Sequence, residues 1–128
     1  MVAACIERIL VVEDEDDIAL ILKARLESAG YEVHTETYGS SALSYAIEHH
    51  PDLVILDVKL PDLWGRDVCQ ELRKVYERAE LPVLMFTVMN GPIDDILGFA
   101  AGADAYLTKD CEPTELLDTV DQLLHQTN

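Results

Sequence analysis

Five residues carry the chemistry open to this sequence: Glu13, Asp14, Asp57, Thr87 and Lys109. All of them follow short apolar runs. Ile9-Leu10-Val11-Val12 leads into Glu13-Asp14, Leu53-Val54-Ile55-Leu56 into Asp57, Leu81-Pro82-Val83-Leu84-Met85-Phe86 into Thr87, and Ala105-Tyr106-Leu107-Thr108 into Lys109. Runs this short, bounded by turn residues, predict strands buried on both faces. If the strand ends meet, three carboxylates converge, each pair repelling by about 4 kcal/mol at ~4 Å and an effective dielectric of about 20. Such a cluster calls for a counter-charge. A hard divalent cation with oxygen ligands supplies it, and Mg2+ fits because it takes one or two carboxylates and a phosphate oxygen. Lys109 is a second positive charge. A carboxylate nucleophile such as Asp57 forms an aspartyl phosphate. The cation and the lysine would neutralise the phosphoryl oxygens in transit, and Thr87 can donate a hydrogen bond to one of them.

The elements between these points alternate. After strand 1 comes the acidic loop Glu13-Asp14-Glu15-Asp16-Asp17, then a helix with Ile18, Leu22, Leu26 and Ala29 on one face, stopped by Gly30. Val33, Thr35 and Thr37 alternate with Glu32, His34 and Glu36, as an edge strand would. Gly39-Ser40-Ser41 opens helix 2, with Leu43, Ala46 and Ile47 inward, and Pro51 ends that unit. Helix 3 begins near Gly65 and buries Val68, Leu72 and Val75. Pro92 suits a helix start, placing Ile93, Ile96, Leu97 and Ala100 inward in a helix weakened by Gly98. Pro113 opens the last helix, striped by Leu116, Leu117, Val120, Leu123 and Leu124. This five-fold β-α alternation predicts an α/β fold: a (βα)5 doubly wound, five-stranded parallel sheet with right-handed crossovers, in the flavodoxin-like order 2-1-3-4-5. In that order the switch point lies between strands 1 and 3, which end in Glu13-Asp14 and Asp57.

Bulk properties narrow the function. At 128 residues, 49% apolar, the chain reads as a single domain, 1–128, with a real core. The net charge of −16, from 25 acids against nine Lys and Arg, argues against direct nucleic-acid binding and against anionic membranes, and favours cationic partners. No apolar run approaches a membrane span, and the first residues lack a leader's basic start and apolar stretch. Cys5, Cys69 and Cys111 show no ligand spacing and read as reduced thiols. Together these predict a cytoplasmic protein.

The chain resembles the receiver domain of two-component response regulators, the CheY-like family. The matching residues are Glu13-Asp14, Asp57 followed by Leu60-Pro61-Asp62 and Gly65, then Thr87, Tyr106 and Lys109. The resemblance covers nearly the whole chain. It implies that Asp57 is the phosphoacceptor and that Glu13, Asp14 and Asp57 hold Mg2+ together with the backbone carbonyl of Lys59. It implies that Thr87 and Tyr106 form a switch pair acting on the α4-β5-α5 surface, and that Lys109 contacts the phosphate. A sensor histidine kinase or a histidine phosphotransfer protein would donate the phosphoryl group, and an effector protein or output domain would read it. A homodimer through α4-β5-α5 is the first oligomer to expect. The chain is either a stand-alone receiver or the receiver of a longer regulator.

Two departures from the family pattern stand out. Asp110 follows Lys109 where proline is usual, which predicts an ordinary trans bond. Val88 follows Thr87 where Ala or Gly is usual, narrowing access to the site. Lys59 and Met89 sit at positions that tune dephosphorylation in the family. With Val88 and Met89 apolar, a long-lived phosphoryl state is expected.

Other chemistries fit less well. A haloacid-dehalogenase-like phosphatase needs a second acid two residues after its aspartate, where this chain has Lys59. A flavodoxin-type FMN carrier needs a Ser/Thr/Gly phosphate loop after strand 1, where this chain has five acids that would repel phosphate. The surviving alternative is a receiver-like interaction module that works without phosphorylation. The expectation is thus a signalling phosphoacceptor with weak self-catalysed phosphoryl transfer and autodephosphorylation, not a conventional enzyme.

Overall fold

The computed structural model describes residues 6–125. In chain order these form β1 (Arg8–Val12), α1 (Asp16–Ser28), β2 (Glu32–Glu36), α2 (Gly39–His49), β3 (Leu53–Leu56), α3 (Gly65–Val75), β4 (Val83–Thr87), α4 (Asp94–Ala101), β5 (Ala105–Thr108) and α5 (Pro113–Leu124). All sheet pairings are parallel, in the order β2-β1-β3-β4-β5. Charged β2 is an edge strand, as its alternation predicts.

The continuous apolar runs resolve into two faces because successive strand side chains point opposite ways. Ile9, Val11, Leu53, Ile55, Leu84 and Phe86 meet Leu22 and Leu26 of α1 and Leu116 and Val120 of α5. Leu10, Val12, Val54, Leu56, Val83 and Met85 meet α2, α3 and α4 through Ala42, Ala46, Val68, Leu72 and Ala101. Each Leu, Ile or Val so buried contributes about 1.5–3 kcal/mol of transfer free energy. Both layers are therefore dry, and the strands emerge on one side with their carboxyl ends aligned. After α1 the chain turns at Gly30, whose φ of +100° lies in the left-handed region that favours glycine.

Several helical faces differ from the sequence expectation. Ile47 and Val75 are about half exposed, and Ala29 is an exposed cap residue beyond α1. In α4 the expected inner face is the outer one: Ile93, Ile96, Leu97 and Ala100 are exposed, while Gly98 and Ala101 face the sheet. Gly98 is small because the Tyr106 ring fills the space, and a Cβ there would lie 3.0 Å from Tyr106 Cδ2. Pro92 sits in the turn before α4, which starts at Asp94. Thr37 lies past the end of β2, and Asp57 is one residue past β3 but still donates its N–H to the Val12 carbonyl at 3.1 Å. Cys69 and Cys111 are free thiols; Cys5 and the start of the chain, on which the leader reading rests, lie outside the described residues. Among the described residues no helix is long and apolar enough to cross a membrane.

Candidate functional site

The parallel register delivers Glu13, Asp57, Thr87 and Lys109 to one edge of the sheet. Oxygens of Glu13, Asp14 and Asp57 lie within 4.8 Å of one another. Glu13, Asp57 and Thr87 are buried polar residues in an otherwise apolar setting, and Asp14 is exposed. Lys109 Nζ reaches both buried acids, at 2.8 Å from Asp57 Oδ2 and 2.7 Å from Glu13 Oε1. The Glu15 N–H donates to the other oxygen of Glu13 at 3.1 Å, so both oxygens of that carboxylate have donors. Glu15 thus braces Glu13 through its backbone, a role no spacing rule announces.

Burial pushes the Glu13 carboxyl up to about 7, the hydrogen bonds from Lys109 and the Glu15 amide pull it down, and Asp57 pushes it up again. For Lys109, burial alone would lower the pKa, but the hydrogen bonds to Asp57 and Glu13 outweigh it and hold the ammonium above its ordinary value. Three carboxylates beside one ammonium leave the cluster short of positive charge. The all-oxygen donor set is that of a hard divalent cation, so these residues fit one.

A cleft of about 410 Å³ opens onto the cluster, lined by Asp14, Asp57, Lys59, Thr87, Val88 and Lys109 among others. Lys59 stands on its rim, with its N–H 3.4 Å from Asp57 Oδ1 and its backbone paired with Trp64 in an isolated antiparallel bridge. The loop closes tightly there: Gly65 N–H donates to the Val58 carbonyl at 2.5 Å, and a Cβ on Gly65 would run into the Asp57 carbonyl. Val88 is exposed at the cleft mouth and Met89 is half-buried. Asp110 accepts a hydrogen bond from the Thr108 hydroxyl, and among the described residues no peptide bond is cis.

Thr87 and Tyr106 meet through a third residue. The Met89 N–H donates to Thr87 Oγ1 at 3.3 Å, and the Tyr106 hydroxyl donates to the Met89 carbonyl at 2.5 Å. Burial pushes the Tyr106 phenol up to about 12, with Asp94 adding to the rise. Three residues to which the sequence reading gives no role of their own brace the elements around the site. Asp62 accepts from the Gly39 and Ser40 amides, fastening α2 to the loop after Asp57. Arg66 and Asp94 pair across α3 and α4. Their long sequence separation explains why no local pattern finds them.

A flavodoxin-like sheet with acids at its switch point and a lysine reaching across from the end of β5 defines the class: a doubly wound α/β domain with an acidic site at its strand ends. The family model described as the response regulator receiver domain matches residues 9–121, and the chain belongs to that family. It is 40% identical over 121 residues to the alkaline phosphatase synthesis transcriptional regulatory protein PhoP of Bacillus subtilis, covering 94% of this chain and 50% of the relative. It is likewise 40% identical, over 94% of this chain and 50% of the relative, to the DNA-binding dual master transcriptional regulator RpaA of Synechocystis. The chain therefore spans about half the length of these curated relatives. Among solved structures, the BeF3-activated N-terminal receiver domain of Klebsiella pneumoniae RstA superposes with a TM-score of 0.88 at 29% identity, covering 94% of this chain and all of that one. A CheY-like receiver domain protein from Methanospirillum hungatei gives a TM-score of 0.88 at 30% identity, over 95% and 96% of the two chains. This chain is a response regulator receiver domain of the two-component type.

Proposed function

We propose that this domain is a phosphorylation-dependent switch that accepts a phosphoryl group on Asp57 from a histidine kinase or histidine phosphotransfer protein. The observation that carries the reading is the Lys109 ammonium held between Asp57 and Glu13 beside a cluster short of positive charge. In the transfer, an Asp57 carboxylate oxygen attacks phosphorus and forms the acyl phosphate P–O bond. The P–N bond of the donor phosphohistidine breaks, and its electron pair returns to the imidazole. Lys109 keeps its positive charge at neutral pH and meets the growing charge on a phosphoryl oxygen. Thr87 already accepts from Met89, so its hydroxyl proton is free to be donated to another. Glu13, Asp14, Asp57 and the Lys59 carbonyl would hold Mg2+, which when bound neutralises phosphoryl oxygens. Hydrolysis of the acyl phosphate by the domain itself would reset it.

On this reading, movement of Thr87 toward the phosphoryl group pulls on Met89, and Tyr106 follows because its hydroxyl holds the same residue. The exposed Ile93, which caps α4, and Ile96, Leu97 and Phe99 on it give the α4-β5-α5 face an apolar surface for a second copy, an effector or an output domain. A cytoplasmic setting follows from the kinase donor. The names of PhoP and RpaA, both transcriptional regulators, support an output at transcription.

The test is intact mass after incubation with acetyl phosphate and Mg2+, wild type beside Asp57→Asn. One added phosphoryl group in wild type only is expected. No addition in either protein would favour the alternative, a phosphorylation-independent interaction module, to which the Val88 and Asp110 departures point.

A further inference from the structure

We propose that Arg66 and Asp94 are positioning residues: their ion pair latches α3 to α4 and fixes the β4-α4 loop against which Tyr106 is held. The inference rests on the switch reading above and adds the element that sets its resting geometry.

Arg66 lies in the first turn of α3 and Asp94 is the first residue of α4. Arg66 Nη2 donates to Asp94 Oδ1 at 3.1 Å, with the two side chains only 21% and 15% exposed. The second oxygen of Asp94 accepts the Gly91 N–H at 2.6 Å. One carboxylate therefore joins three things: a neighbouring helix, the first turn of its own helix, and the loop that leads to it. Asp94 at the N-terminus of α4 also suits the helix dipole.

The loop so fastened contains Met89, whose carbonyl receives the Tyr106 hydroxyl. The Tyr106 ring packs against Gly98 on the same helix. Arg66 and Asp94 both act on the Tyr106 phenol through space, with opposite signs. Tyr106 is thus enclosed by one hydrogen bond to the loop and one contact to α4, and the latch restrains both. Arg66 Nε is buried with no acceptor among the described residues, so Asp94 is the side-chain partner that anchors the guanidinium. Neither side chain pairs or hydrogen-bonds with Asp57, Glu13 or Lys109, so the latch acts on the response and not on the phosphoryl chemistry.

The experiment is amide hydrogen exchange across residues 88–97, with and without beryllofluoride and Mg2+ as the phosphoryl mimic. Wild type is compared with Arg66→Gln, Asp94→Asn, the double variant and Arg66→Lys. Asp94→Asn keeps an oxygen for the Gly91 amide and loses only the charge. In the unliganded state both single variants should exchange about tenfold faster in this segment, the size of one charge-assisted hydrogen bond. The double variant should match the singles, because one interaction is lost only once. Arg66→Lys should stay near wild type, and β1 and β3 should exchange as before. Unchanged exchange in the single variants, or effects that simply add, would overturn the latch. If wild type responds to the mimic and the variants do not loosen, the latch falls while the switch reading stands. If the variants loosen and wild type ignores the mimic, the pair still latches the loop and the switch reading falls.

Discussion

Lys109 Nζ lies 2.8 Å from Asp57 Oδ2, across 52 positions of sequence, and the same ammonium holds Glu13. The three groups are a unit. Removing the cation leaves two buried carboxylates uncompensated, whereas removing an acid relieves repulsion. We therefore expect Lys109→Met to cost about 3 kcal/mol in urea unfolding without Mg2+, within the range for breaking a buried pair. Adding Glu13→Gln to that variant should recover a substantial part of the loss. Equal instability in single and double variants would show that the lysine's methylenes matter, not its charge.

Magnesium should stabilise the fold wherever its ligands are intact. A ligand bound only by the native state at ten times its Kd adds about 1.4 kcal/mol. Thermal unfolding of wild type should shift upward with Mg2+, and the shift should be lost in Asp14→Asn, whose exposed side chain contributes little else to stability. A retained shift in that variant would place the cation elsewhere.

Much of this site is legible in the sequence because it hangs on strand ends. An apolar run followed by Asp57, or by Glu13-Asp14, fixes both the element and the position at which it stops. Helix faces are less legible. Ile93, Ile96 and Leu97 keep an apolar spacing yet face solvent, because the inner side of α4 must be small where Tyr106 packs. Apolar periodicity marks a face to be covered, and in α4 that face is turned away from this domain's own core. The pairs Asp62 with α2 and Arg66 with Asp94 join distant segments through side chains, and no local pattern encodes them.

Gly98 illustrates the point and can be tested. As a helix-interior glycine it should cost about 1 kcal/mol relative to alanine. Gly98→Ala should nevertheless fail to stabilise the protein, because its methyl would meet the Tyr106 ring at 3.0 Å. Urea unfolding should show a net loss, and Gly98→Ala combined with Tyr106→Ala should restore the normal helix gain. A stabilised single variant would mean that the ring moves aside freely.

Phosphoryl lifetime is the next expectation. Val88 and Met89 flank the cleft and offer no group that could orient an attacking water. After labelling with acetyl phosphate and removal of the donor, the added mass should decay slowly. Met89→Glu should speed the decay several-fold while leaving the labelling site unchanged. A wild-type half-life of seconds in Mg2+ buffer would contradict the expectation.

His125 binds the two ends of the described chain together, and its charge makes that contact depend on pH. The ring Nε2 lies 2.6 Å from Glu7 Oε1 and Nδ1 lies 2.6 Å from Asp121 Oδ1. When the ring is protonated, each nitrogen donates to a carboxylate, and the hydrogen bonds to Glu7 and then Asp121 raise the histidine pKa above its ordinary value. A raised folded-state pKa adds stability that is complete below the unfolded value of about 6.5 and disappears as pH rises through the folded value. Wild type should therefore melt slightly above His125→Gln at pH 6, and the two should converge at pH 9. The ring is exposed, so salt should shrink the gap at pH 6. A gap that persists at pH 9 would assign the effect to packing of the imidazole between Glu7 and Asp121 rather than to its charge.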